Sequence, residues 1–170
     1  FVVDHGLIQH PDGPLDVEPN AGILSIVPKW DGETIVGARV DMGTPILEAN
    51  RVPVDSTNTA ASNYEALNPT LVQELGVEPS EMLFDAAIKV GEERYIGTAV
   101  SMGNPHYVSV VDQSVHEVEL TKIGPIVEHH RAFPERANFH IVNIINRAHL
   151  VIRTWERGSG ITLACGTGAS

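Results

Sequence analysis

Seven short runs rich in valine and isoleucine, at 21–27, 34–42, 82–90, 94–101, 106–111, 137–145 and 148–155, are each closed off by Gly, Pro, Asn or Asp. Runs of this length, several of them alternating apolar and polar residues, read as strands of a mostly antiparallel β architecture, because alternation gives one face to a core and the other to water. Helical patterning is sparser. Asn68-Pro69 ahead of 70–75 and Gly76 behind it put proline at a helix start and glycine just past its end. A second helix is expected over about 120–129, with Pro125 in its first turn or breaking it, since proline has no N–H to give and its ring crowds the carbonyl four residues back. Asn146-Arg147 between the last two runs predicts a tight hairpin.

Between 54 and 81 the sequence turns polar and small, above all at 55–63, and this is the expected linker. Residues 1–54 then form one β-rich lobe and 55–170 a second, with any helix filling the core between strands. The fold class expected is α+β. No fixed-period repeat runs along the 170 residues.

Eleven Lys and Arg against 22 Asp and Glu leave a net charge of -11. Phosphate-backbone binding runs on clustered cations, so nucleic acid is not an expected partner. No apolar run approaches the roughly 18–20 residues that span a bilayer, which points to a cytoplasmic protein without a membrane partner. The expected partners are a small amino-acid substrate and, at most, a second copy of the chain in a homodimer. The sequence opens on Phe1 and stops at Ser170 inside a Gly-Thr-Gly-Ala-Ser run, as a piece of a longer protein would.

Chemistry concentrates around Cys165, the single cysteine. One thiol makes no intrachain disulfide and no multi-thiolate metal centre, so it serves packing or reactivity. The sequence Ala164-Cys165-Gly166-Thr167-Gly168 surrounds it with small residues that leave backbone N–H groups uncovered. A helix starting there would favour both a bound anion and a thiolate, whose thiol is otherwise only a few per cent ionised at neutral pH, with a pKa of about 8.5. For an arbitrary lone cysteine burial as a small hydrophobe is the commoner role; the flanking glycines shift the balance toward function. Ser101-Met102-Gly103-Asn104-Pro105-His106 breaks two strands and presents an amide and an imidazole at a strand end, while Phe133 to Asn138 is a loop opening the next strand. His116, His129 and His130 lack carboxylate partners at ligand spacing and read as solvated, so no metal centre is expected. Neither a dinucleotide fingerprint nor a nucleophile elbow nor a P-loop is present.

Taken in order, the segments 102–106, 133–138, 155–160 and 164–169 resemble diaminopimelate epimerase. The likeness extends upstream, where Phe1-Val2-Val3-Asp4-His5-Gly6-Leu7 resembles the segment following that family's first cysteine motif and Asp41-Met42-Gly43-Thr44-Pro45 its mid-chain strand end. The resemblance implies two lobes, each a barrel-like antiparallel sheet around a central helix, here truncated. It also implies an isomerase that interconverts LL- and meso-2,6-diaminopimelate for lysine and cell-wall precursor synthesis, with two thiols, no pyridoxal phosphate and no other cofactor. Carried over by motif, Cys165 is the thiol of the second lobe, with His106 and Glu156 tuning the thiols. Gly166 and Thr167 would hold the substrate carboxylate through backbone N–H groups, Asn104 and Asn138 would hydrogen-bond the substrate, and Glu156 with Arg157 would meet its amino and carboxylate groups. A second cysteine is absent from the 170 residues, so the chain by itself is expected to be inactive. Ile161 and the pair Phe139-His140 also depart from the family pattern.

Three alternatives stand beside this one. A proline-racemase-like or phenazine-type isomerase would share the fold. A thiol hydrolase or transferase would use His106 to activate Cys165 and pass through a covalent intermediate. A non-catalytic remnant would bind ligand without exchanging its α-hydrogen.

Overall fold

A computed structural model describes residues 3, 5–8, 13–18 and 22–170. Of the upstream resemblance, Phe1, Val2 and Asp4 lie outside the described residues, as does Ala21 at the start of the first strand-like run. The chain separates into two compact units, Phe1–Gly43 and Thr44–Ser170.

The first unit is a three-stranded antiparallel sheet of β1 (Leu15–Val17), β2 (Leu24–Asp31) and β3 (Thr34–Val40), in that order. A two-residue turn pairs Asp31 with Thr34, and a register shift falls between Lys29 and Trp30.

The second unit holds a six-stranded sheet ordered along the chain: β4 (Ala86–Val90), β5 (Glu93–Ser101), β6 (Pro105–Val110), β7 (Asn138–Asn146), β8 (His149–Glu156) and β9 (Gly160–Thr162). Short turns join every neighbouring pair but one. Between β6 and β7 the chain crosses over through helix α2 (Leu120–Glu128), which makes that pair parallel. A parallel pair needs such a crossover because its strands start at the same end. The sheet is thus mostly antiparallel, as expected, with one parallel pair, and neither sheet closes on itself as a barrel would. The second sheet is nonetheless curled, since α2 packs against β4 as well as β7, β8 and β9.

Two helices form where the sequence places them. α1 (Pro69–Leu75) starts with the Asn68 side chain accepting from Thr70 N–H and ends at Gly76, whose φ of 64° is the left-handed conformation glycine adopts without a Cβ penalty. In α2 proline sits at the sixth position, beyond the first turn, and the helix continues through it. Tertiary packing outweighs the missing bond: Leu120 and Val127 are buried in the core, and a Cβ on Gly124 would lie 2.6 Å from Cγ of Trp155, so helix and sheet meet at backbone distance. The stretch that reads as a linker is fixed to the second unit. Asp55 N–H bonds Ala132 O, Ala60 N–H bonds Ala87 O and Asn63 N–H bonds Phe84 O.

Strand alternation sorts the large sheet into two faces. Ala99, Tyr107, Phe139, Ile141 and Trp155 point to the side that α2 covers, where Tyr107 and Phe139 are fully buried. Each such side chain contributes about 1.5–3 kcal/mol by leaving water. Ladder partners on the opposite face are Thr98 with Val108, Val100 with His106, His106 with Asn138, His140 with Thr154, Thr154 with Thr162 and Glu156 with Gly160.

Candidate active site

The polar row on that second face forms because the hydrophobic demand is met on the other side. His106 is the second residue of β6, just after the sharp turn at Gly103, where φ is 91° and the amide N–H bonds the Ser101 hydroxyl at 3.2 Å. His140 and Thr154 are register partners on β7 and β8.

These residues form a hydrogen-bonded chain. His106 Nε2 lies 2.8 Å from Asn104 Oδ1, His106 Nδ1 lies 2.7 Å from His140 Nε2, and His140 Nδ1 lies 2.9 Å from Thr154 Oγ1. Asn104 Oδ1 can only accept, so His106 carries its proton on Nε2 and accepts at Nδ1 from His140 Nε2–H; Thr154 then donates to His140 Nδ1. Every ring nitrogen is used. Burial, reinforced by the charge of Arg157, pulls His106 down to about 4, and burial with the neighbouring His106 pulls His140 to about 3. Both rings are therefore neutral at neutral pH.

Cys165 approaches this pair from the chain end. Its sulfur and one ring nitrogen each of His106 and His140 lie within 4.8 Å of one another. The thiol is half-buried and sits 3.6 Å from Thr167 Oγ1. Gly166 already has helical dihedrals, φ -60° and ψ -47°, and Thr167–Ala169 form a single 3-10 turn in which Ala169 N–H reaches the carbonyls of Cys165 and Gly166 at 3.1 and 3.3 Å. The expected helical start after the cysteine is thus one turn long here. A cavity of about 360 Å³ opens beside it, lined by His106, Thr167, Gly168 and Ser170 together with apolar side chains such as Val100 and Leu47.

The remaining residues singled out by sequence are placed as follows. Asn138 is buried and bonded at both ends of its amide, donating from Nδ2 to Pro105 O at 3.0 Å and accepting from Arg157 N–H at 3.0 Å. It fastens the start of β6 to the turn after β8. Glu156 accepts from the Thr162 hydroxyl, and Arg157 donates from Nη1 to Glu135 O at 3.0 Å while lying close enough to His106 to depress its basicity. His106, Asn104, Cys165 and Thr167 come together at one place; Glu156 sits further along the same face, tied to β9.

Three contributors escaped the sequence reading. His140 and Thr154 complete the imidazole chain, and their signal was the β7–β8 hairpin, whose register sets them side by side. Glu128, 4% exposed at the end of α2, accepts from Trp155 Nε1–H at 2.7 Å, Gly158 N–H at 2.9 Å and Arg136 Nη1 at 3.3 Å. Burial raises its pKa, but those bonds and the charges of His129 and Arg136 outweigh burial and hold it below the usual carboxylate range. It anchors the loop that carries Arg157.

Comparison with known proteins gives one family. Its model, diaminopimelate epimerase, matches residues 98–170, the part of the chain that contains the whole imidazole and thiol cluster. Along nearly its full length the chain is 39% identical to the diaminopimelate epimerase of Moorella thermoacetica and 35% identical to that of Methanothermobacter thermautotrophicus, covering 99% and 100% of this chain. The counterpart from Desulfitobacterium hafniense is 36% identical over 99% of the chain. Against these relatives the chain spans about half their length, 52%, 51% and 51%. No helix among the described residues is long and apolar enough to cross a membrane. The cysteine beside a small-residue turn, set against a polar strand face, lies in the part of the chain that the diaminopimelate epimerase model matches, and nearly the whole chain is similar to these enzymes.

Proposed function

We propose that the protein containing this chain inverts an α-carbon of diaminopimelate without a cofactor, with Cys165 as one of two thiols that face the carbon from opposite sides. One sulfur, as thiolate, takes the α-hydrogen as a proton and leaves the electron pair on carbon; the other, as thiol, delivers a proton to the opposite face. The two sulfurs exchange protonation states and nothing is oxidised or reduced. An α-C–H beside a carboxylate is a very weak acid, so the developing charge needs fixed donors in a site that excludes water. In this reading the Gly166 and Thr167 N–H groups and the Arg157 guanidinium hold the substrate carboxylate, Asn104, Asn138 and Glu156 contact the rest of it, and His106 and Glu156 set the polarity around the thiols.

The observation that carries the reading is the position of the Cys165 sulfur, half-buried and within 4.8 Å of two ring nitrogens on the polar sheet face. The thiol hydrolase alternative is less well supported, because both nitrogens of His106 are already bonded, to Asn104 and His140. With one cysteine in its sequence, this chain by itself lacks the second thiol and is not competent alone. The test is proton exchange in deuterium oxide. The complete enzyme should place deuterium at Cα of diaminopimelate, Cys165→Ser should abolish it with substrate still bound, and the 170-residue chain should give none. Exchange by the isolated chain, or unaffected exchange by Cys165→Ser, overturns the proposal.

A further inference from the structure

We propose that His106, His140 and Cys165 form a binding site for one divalent cation of the zinc and cobalt class, with Asn104 and Thr154 as the outer partners that orient the two imidazoles. Each ring gives one nitrogen to a fixed oxygen, His106 Nε2 to Asn104 at 2.8 Å and His140 Nδ1 to Thr154 at 2.9 Å. The inner nitrogens, His106 Nδ1 and His140 Nε2, face each other at 2.7 Å. Metal-binding histidines are held in this manner, with the outer N–H given to an oxygen acceptor so that the inner lone pair points at the ion.

His106 already has the tautomer required. For His140 the proton moves from Nε2 to Nδ1, and the Thr154 hydroxyl rotates from donor to acceptor, which a hydroxyl does freely. Tetrahedral zinc with Zn–N bonds of about 2.0–2.1 Å holds two nitrogens roughly 3.4 Å apart, so the imidazole pair opens by less than an ångström. The sulfur is the third ligand, its distance to both rings bounded at 4.8 Å. The cavity lined by His106, Thr167 and Gly168 borders the cluster at His106. Two nitrogens and a thiolate select zinc, cobalt or copper over magnesium or calcium, which prefer oxygen. Binding replaces the hydrogen bond between the histidines and releases the thiol proton to solvent, with no change of oxidation state. A bound cation also withdraws the Cys165 sulfur from proton transfer; that consequence rests on the proposed function, whereas binding does not.

Titration of the 170-residue chain with Co²⁺ tests it. One ion per chain is expected, with a thiolate-to-cobalt charge-transfer band in the near ultraviolet and the visible bands of tetrahedral cobalt, both removed by Zn²⁺. Cys165→Ser should lose the charge-transfer band, and Thr154→Val, close in shape and so mild for folding, should weaken binding about 10- to 100-fold. Zn²⁺ should protect Cys165 from iodoacetamide in the parent chain and not in His140→Gln. An octahedral cobalt spectrum, a spectrum indifferent to Cys165→Ser, or equal protection in His140→Gln overturns the site. Cobalt binding with these signatures in a complete enzyme that exchanges no α-hydrogen when free of metal would refute the proposed function alone, and exchange by the metal-free enzyme with no cobalt signature on titration would refute the metal site alone.

Discussion

A Cβ built on Gly168 would lie 2.7 Å from Nε2 of His140, so the turn after Cys165 rests directly on an imidazole with no room for a methyl group. Gly168→Ala should therefore cost about 1–3 kcal/mol by overpacking, read as a lower denaturant midpoint. Gly166→Ala is the control. Its Cβ meets nothing within 4 Å and its dihedrals are helical, so its midpoint should stay level or rise slightly.

The buried histidine pair makes stability fall on acidification. Both groups have folded values, about 4 and about 3, below the unfolded value near 6.5. Their contribution is complete above that unfolded value and is lost as pH drops toward the folded ones, because the unfolded chain then binds protons that the folded one refuses. Between pH 6 and pH 4 the unfolding free energy should fall by up to about 1.4 kcal/mol per pH unit for each histidine. His140→Val should roughly halve that slope in urea titrations across this window; an unchanged slope would show that other groups govern it.

Glu128 anchors three donors from a nearly water-free position. Glu128→Ala strands the Trp155 indole N–H and the Gly158 N–H and should destabilise by about 2–4 kcal/mol. Trp155→Phe keeps most of the ring against Gly124 and loses one bond, so it should cost less than Glu128→Ala. Thermal unfolding of the two variants side by side gives the comparison, and the reverse order would locate the anchor in the ring and not in the carboxylate.

Asn138 spans β6 and the loop after β8 with both ends of its amide. Asn138→Ala leaves Pro105 O and Arg157 N–H without it and should cost about 1–3 kcal/mol, with amide hydrogen exchange quickening at Arg157. An exchange rate at Arg157 equal to that of the parent chain would rule out this fastening role.

Much of the second sheet was readable from local chemistry. The runs at 94–101 and 106–111 became β5 and β6 within a residue at either end, and Asn68, Pro69 and Gly76 bounded α1 as their backbone preferences require. The crossover was not readable, because nothing in the composition of β6 or β7 distinguishes a parallel neighbour from an antiparallel one. Pro125 was misjudged for a related reason: its local cost is fixed by the ring, but the packing of Leu120, Gly124 and Val127 that outweighs it comes from β8 and the core.

The sequence by itself determined the strand-rich class, the turns and the small-residue surroundings of Cys165, because each depends on residues adjacent along the chain. Only the tertiary structure decided that His106, His140 and Thr154 form one hydrogen-bonded chain beside that sulfur. They stand 34 and 14 residues apart, and strand pairing, with its two-residue side-chain period, is the physical device that turns such separations into contact on one face.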